Sequence, residues 1–359
     1  MIPSHTLRKM RNMRHQSNSE PDGNPQPSPI VDPTPIFELS VAYWRSCVLF
    51  TAVDLGVFNA LAGGGRDLEN LCARLATPRR SMELLIDALV ALRLLEKDAN
   101  TITNSRLAAD YLVPDSPAFL GDALQFHARA FGAWGDLSKT IRTGEPAVAA
   151  NHILGSDPGA TGNFVRAMHN RALGVARCLV ELCDLSNTRR LLDLGGGPAT
   201  YARLLVERHA ELRVTVLDLP DVLDVASELI QDSPAKDRIT LQPGDMWSAA
   251  LGTGYDAVLL SGVLHRTEGD KTIALLKRAA AAVAPRGKVL ISDLFTGGPT
   301  QSPVLPELFS LHMLLTADCG RSLPLSRMET MCTDAGLTLT AVTPLPAPLP
   351  HTLCTAVRQ

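Results

Sequence analysis

The stretch "LLDLGGGPATYARLL", residues 191–205, decides the fold. A short apolar run ends in Asp193, three glycines follow, and a helical periodicity then begins. That order is strand, tight turn, helix. Such turns aim backbone N–H groups at a ligand held against a helix N-terminus. The spacing separates ligand classes. A dinucleotide turn is G-x-G-x-x-G; Gly195 and Gly197 fit, but Thr200 stands at the third position. A P-loop closes on Gly-Lys-Ser or Gly-Lys-Thr, and this turn does not. What stands is Asp193-x-Gly195-x-Gly197-x-Ala199, with an acid two residues before the first glycine. A carboxylate there repels a pyrophosphate and suits a cationic ligand carrying an amino-acid group. S-adenosylmethionine (SAM), a sulfonium with an α-ammonium and a nucleoside, has that chemistry.

Outward from the turn, strands and helices alternate. Strands are expected at 190–194, 212–218, 238–242, 255–260 and 287–294, with helices near 199–209, 221–231 and 270–284. This is a doubly wound, Rossmann-like α/β sheet. A helix near 324–335 precedes "LTLTAVT" and "TLCTAVR". The proline-rich link between them predicts an antiparallel pair at the sheet edge, making seven strands. "VTVLDLP" ends the second strand in Asp218, 21 residues after Gly197, where an acid can accept both ribose hydroxyls. "GDMW" places Asp245 and Met246 after the third strand, suited to the adenine amino group and ring face. "YDAVLLSGVLH" carries the fourth strand into His265.

Upstream, residues 116–185 read as helical throughout. Before them stand a long or broken apolar helix at 36–61, "DLENLCARL" with Asp67 as N-cap, a helix in 77–96 and a hairpin turning at 98–100. Helix, helix, helix, hairpin is the winged-helix order, and it raises a DNA-binding regulator that senses SAM. A recognition helix needs a polar or basic face for the major groove. The third helix is instead apolar nearly all round, from Met82 to Leu95, which favours a packing or dimer interface.

The 359 residues allow roughly two domains. A net charge of −3 argues against nucleic acid or an anionic membrane as partner. No apolar run approaches the roughly 18 residues of a membrane span. Seven scattered cysteines without a CxxC pair suggest neither a metal site nor a disulfide framework, and point to reduced thiols in a cytoplasm. Residues 1–34 are polar, proline-rich and basic before Glu20, without a secretory apolar core. They read as a disordered tail, an organelle-targeting segment or an early start, with Met10 and Met13 as alternatives.

In "DLGGGPA", "LDLP", "GDMW", "DAVLLSGVLH", "APRGKVLISD" and "DAGL", the chain resembles the class I SAM-dependent O-methyltransferases of the plant caffeate, acetylserotonin and bacterial secondary-metabolite type. The resemblance spans roughly residues 35–358. It implies a dimerisation domain at 35–115, linking helices over the acceptor pocket at 116–185, and a SAM-binding domain at 186–359. The implied cofactor residues are Asp193, Gly195, Gly197, Asp218, Leu219, Asp245, Met246 and Ser261. His265 is the implied general base and Asp293 its flanking acid. Arg266 and Thr267 follow the histidine where plant members have Asp-Trp. Ser261 takes the place of a lysine, and Ser322 that of a second acid. The acceptor pocket is expected from Phe126, Phe131, Trp134, Met168, His169, His312 and Met313, with His169 and His312 as spare bases. A small-molecule hydroxyl, aromatic in character, is the leading acceptor; sulfur or carbon is the alternative.

Overall fold

A computed structural model describes residues 31–148, 158–298 and 304–359. Most of the expected tail, residues 1–30, lies outside the described residues. Residues up to Trp44 group apart from 45–359, which form a single compact unit. Helix α1 (Thr34–Val41) buries none of its side chains; Ile36, Phe37 and Leu39 are exposed. The apolar run breaks at Ala42 into α2 (Tyr43–Asp54), and again before α3 (Val57–Ala60) at Gly56, which has a left-handed φ of 72°. By length and composition the 21 residues Thr34–Asp54 could cross a membrane, the most apolar 18-residue window among them having a mean hydropathy of 1.3. This corrects the expectation that no run approaches that length. Counting uninterrupted apolar residues stops at Glu38 and Arg45, whereas a helical window averages over them.

Helix α4 (Leu68–Leu75) starts on Asp67, whose side chain accepts the Asn70 N–H, as the sequence led us to expect. Helix α5 (Arg79–Ala91) buries Met82, Ile86 and Leu89. Its Leu84 is 63% exposed, so the helix is not enclosed all round. Strands β1 (Leu95–Asp98) and β2 (Thr101–Asn104) pair antiparallel around the expected turn. Ala52, Phe58, Leu71, Met82, Ile86 and Ile102 build one core for this region. Helices α6 (Arg106–Tyr111), α7 (Gly121–Gly135), α8 (Leu137–Thr143) and α9 (Pro158–Leu182) follow.

The main sheet alternates as the sequence predicts: β3 (Arg190–Leu194), α10 (Thr200–Arg208), β4 (Arg213–Asp218), α11 (Pro220–Ile230), β5 (Ile239–Pro243), β6 (Tyr255–Ser261), α12 (Asp270–Ala282) and β7 (Val283–Asp293). Two short strands, β8 (Phe295–Thr296) and β9 (Leu323–Pro324), flank α13 (Val304–Thr316). Helix α14 (Met328–Asp334) leads to β10 (Leu337–Pro344) and β11 (Thr352–Arg358). The seven strands stand in the order β10-β11-β7-β6-β3-β4-β5. The run β5-β4-β3-β6-β7 is parallel, and β11 is antiparallel to both β7 and β10. Apolar side chains of β3, β4, β6 and β7 feed two cores. One lies under α12 and α14 and the other under α9, α10 and α11. Chain order reverses between β3 and β6, and open α/β sheets hold ligands outside the carboxyl ends of strands at that point.

Candidate active site

The carboxyl ends of five parallel strands meet around one cavity of about 450 Å³. The turn after β3 is left-handed at Gly195 (φ 72°), Gly197 (φ 54°) and Ala199 (φ 55°). Its middle residue must be small for a different reason: a Cβ at Gly196 would come within 2.7 Å of the Asp193 carboxylate and 2.8 Å of Val216. Asp218, at the end of β4, accepts the Gly197 N–H at 2.8 Å through Oδ2 and the Leu219 N–H at 2.8 Å through Oδ1. Burial pushes its carboxyl up, and those N–H groups with the Arg266 charge offset only part of that rise. Beyond β5, Asp245 accepts the Trp247 N–H at 3.0 Å, and Arg278 donates to the Met246 carbonyl at 2.9 Å. The loop that presents Asp245 and Met246 is therefore held from both sides.

Gly195, Gly197, Asp218, Leu219, Asp245, Met246 and Ser261 all line the cavity. Asp193 does not. It is 1% exposed and lies behind the turn, and neither carboxylate oxygen has a hydrogen-bond partner among the described residues. Burial and the nearby Asp218 push it up to about 7. Expected to meet the ligand, it stands here behind the glycine turn, with its side chain beneath Gly196.

His265 follows β6 in a single 3-10 turn. Its Nδ1 lies 2.8 Å from Asp293 Oδ1, and its backbone N–H donates to Asp293 Oδ2 at 3.1 Å. The Leu294 N–H also donates to Asp293, at 2.8 Å. Burial raises the Asp293 carboxyl, but the imidazole and these donors outweigh it and hold it below the ordinary carboxylate range. The His265 Nε2 has no hydrogen-bond partner among the described residues, and the ring packs edge-on against Phe309 at 4.9 Å. A Cβ at Gly320 (φ 117°) would collide with the His265 carbonyl, so glycine there lets the two backbones pass close together. Ser322 is fully buried, and its backbone N–H donates to Ser310 Oγ.

A side pocket of about 50 Å³ shares Phe164, Met168, Arg171, His265, Arg266 and Phe309 with the main cavity. Phe126, His312 and Met313 line this pocket, as expected for an acceptor site. Trp134 stands one layer back, stacked on His312 at 6.4 Å. Phe131, 44% exposed, and His169 line neither space. His169 Nδ1 is 2.7 Å from Thr200 Oγ1 at the start of α10. Burial pushes His127, His312 and His351 down to about 4, with the Arg171 charge contributing at each, so these rings are neutral at neutral pH. The sequence reading missed Phe164, Arg171, Tyr201, Arg266, Phe309 and His351. Helical spacing carried part of the signal, since Arg171 stands one turn after Met168 and Phe309 one turn before His312.

Comparison with known proteins agrees with this geometry. A family model described as an O-methyltransferase domain matches residues 134–338, and one described as an O-methyltransferase dimerisation domain matches 37–114. The 3-hydroxy-5-methyl-1-naphthoate 3-O-methyltransferase of Streptomyces sahachiroi is 31% identical over 303 residues, covering 83% of this chain and 88% of the relative. The 3-amino-4-hydroxybenzoate 4-O-methyltransferase of Streptomyces cremeus is 28% identical, covering 87% of each chain. The structure of human N-acetylserotonin methyltransferase in complex with SAM superposes with a TM-score of 0.81 at 24% identity, over 93% of this chain and 99% of that one. With the turn, the acid after β4 and both family models in agreement, the chain belongs to the O-methyltransferase family and is an enzyme that uses SAM as its methyl donor.

Proposed function

We propose that the enzyme methylates a hydroxyl of a small aromatic molecule, with His265 as general base. The observation that carries this is the His265–Asp293 pair, which fixes the imidazole while Nε2 stays free where the two cavities meet. The relatives' names, which describe methylation of hydroxyls on aromatic rings, support the acceptor class.

The residues fit SAM. An adenosine ribose needs a carboxylate acceptor, and Asp218 is braced for that role by two backbone N–H groups. Leu219, Met246 and Trp247 offer apolar surface for adenine, with Asp245 beside them. The left-handed turn lets the backbone at Gly195 and Gly197 approach the ligand closely, with Ser261 on the adjoining wall. When bound, SAM supplies an already activated methyl group. The protein must align the acceptor and take its proton. Phenols hold theirs near pKa 10, as tyrosine does. Asp293 orients the ring so that Nε2 accepts that proton, and it stabilises the imidazolium that results. Phe164, Phe309 and the neutral His312 offer flat walls for an aromatic ring.

Replacing His265 by Ala should lower labelled-methyl transfer by about 10²–10⁴, with little change in SAM affinity. Asp293→Asn should cost less, as befits an orienting partner. Near-full activity of His265→Ala would move the acceptor to a thiol or carbon nucleophile. The assembly we propose is a homodimer built through residues 36–95, within the matched dimerisation region.

A further inference from the structure

Two arginines line the side pocket beside His265, and neither belongs to an ion pair among the described residues. Arg171 stands on α9, one turn after Met168, half-buried and lining the cavity. Its hydrogen bonding among these residues is limited to a weak contact from Nη1 to Met168 Sδ at 3.9 Å. Its charge is felt by His127 on α7, His312 on α13 and His351 before β11, so it sits where these elements converge. None of these groups is anionic, and the Tyr201 phenol is the one acid that favours its charge. Arg266, lining the same pocket, interacts with Asp218 on the cofactor side.

A buried lysine, histidine or carboxyl can shed its charge, but a guanidinium cannot. Holding one away from water without a carboxylate is costly unless a ligand supplies the anion. The flat fork of five donors matches a planar carboxylate. The pocket also offers aromatic walls at Phe126, Phe164 and Phe309.

We propose that the acceptor is a hydroxyarene carboxylic acid whose carboxylate docks on Arg171, with Arg266 adding positive potential, while its hydroxyl faces His265. This deepens the hydroxyl-methylating reading above and rests on it. A carboxylate at Arg171 could also come from SAM itself. The acceptor is favoured because Arg171 shares the side pocket with His265, where the acceptor must meet its base.

The test uses the full chain and pairs of probes: hydroxybenzoic, hydroxynaphthoic and hydroxyanthroic acids, each against the same phenol without the carboxyl group. Binding of each to the complex with S-adenosylhomocysteine is measured by calorimetry, and labelled-methyl transfer is measured in parallel. The wild type should bind at least one acid ten- to hundredfold more tightly than its neutral twin, the usual range for a charge-assisted pair. Arg171→Met should erase that preference, Arg171→Lys should restore part of it, and SAM affinity should stay within about twofold. No preference for any acid in the wild type overturns the proposal, whether or not the variant folds. A loss of SAM affinity in Arg171→Met with the acid preference intact overturns it too, and assigns Arg171 to the cofactor. Equal methylation of acid and neutral phenol leaves the hydroxyl reading standing and removes this one. Methyl transfer to neither, with the acid still bound preferentially at Arg171, removes the hydroxyl reading instead.

Discussion

Asp193 leads into the glycine turn and Asp218 ends the neighbouring strand β4 against it, with opposite fates. Asp218 faces the cavity with two backbone donors, so its charge is braced for a ligand. Asp218→Ala removes charge-assisted bonds worth about 1.5–3 kcal/mol and should weaken SAM binding about ten- to hundredfold. Calorimetry giving unchanged affinity would reject the assignment. Asp193 lies behind the turn without a partner, pushed up to about 7 from an unfolded value near 3.9. A carboxyl whose folded pKa is raised stabilises fully below its unfolded value, and that contribution is lost as pH rises toward the folded one. Asp193→Asn should therefore match the wild type near pH 4 and exceed it at pH 8, by a few kcal/mol at most. Denaturant midpoints at the two pH values, without cofactor, check this. A variant less stable at pH 8 would mean that the ionised carboxylate has a stabilising role.

At the scale of elements, legibility followed how local the signal is. The sequence reading matched β3 at Arg190–Leu194 to the residue, because an apolar run between turn residues bounds itself. The β10–β11 hairpin was equally plain, since the proline-rich link between two alternating runs permits little else. The start of β7 was missed by four residues: the expected helix ran to 284, whereas the strand already begins at Val283 and continues through Arg286 at φ 64°. The two-residue pair β8–β9 carried no periodicity at all. Helices posed a different problem. A helix shows that it has an apolar face before it shows which way that face turns. Phe131 on α7 was therefore as good a candidate as Phe126, and only packing against α9 and α13 separates them. Arg171 was overlooked because a lone arginine on a helix is usually solvated. Its meaning depends on the elements that close over it.

For the whole molecule, the apolar surface near the start of the described chain has the largest consequence. Ile36, Phe37, Leu39, Tyr43 and Trp44 are all more than half exposed, in a region matched by the dimerisation model. Contiguous apolar surface of this kind marks an interface. Light scattering should give twice the 38.5 kDa chain mass at micromolar concentration, and deleting residues 1–44 should shift it toward the single mass. A wild-type monomer would sink the assignment. The far end of the chain sets a limit of another sort. Strand β11 lies between β7 and β10, and its Thr352 pairs with Asp293, the residue that orients His265. On the ribosome β11 emerges after every other strand of the sheet, and until then β7 has an unpaired edge and β10 has no neighbour. A chain truncated before Thr352 keeps the residues of the cofactor turn but lacks the strand that pairs with Asp293, so it should transfer little labelled methyl even where it still binds SAM.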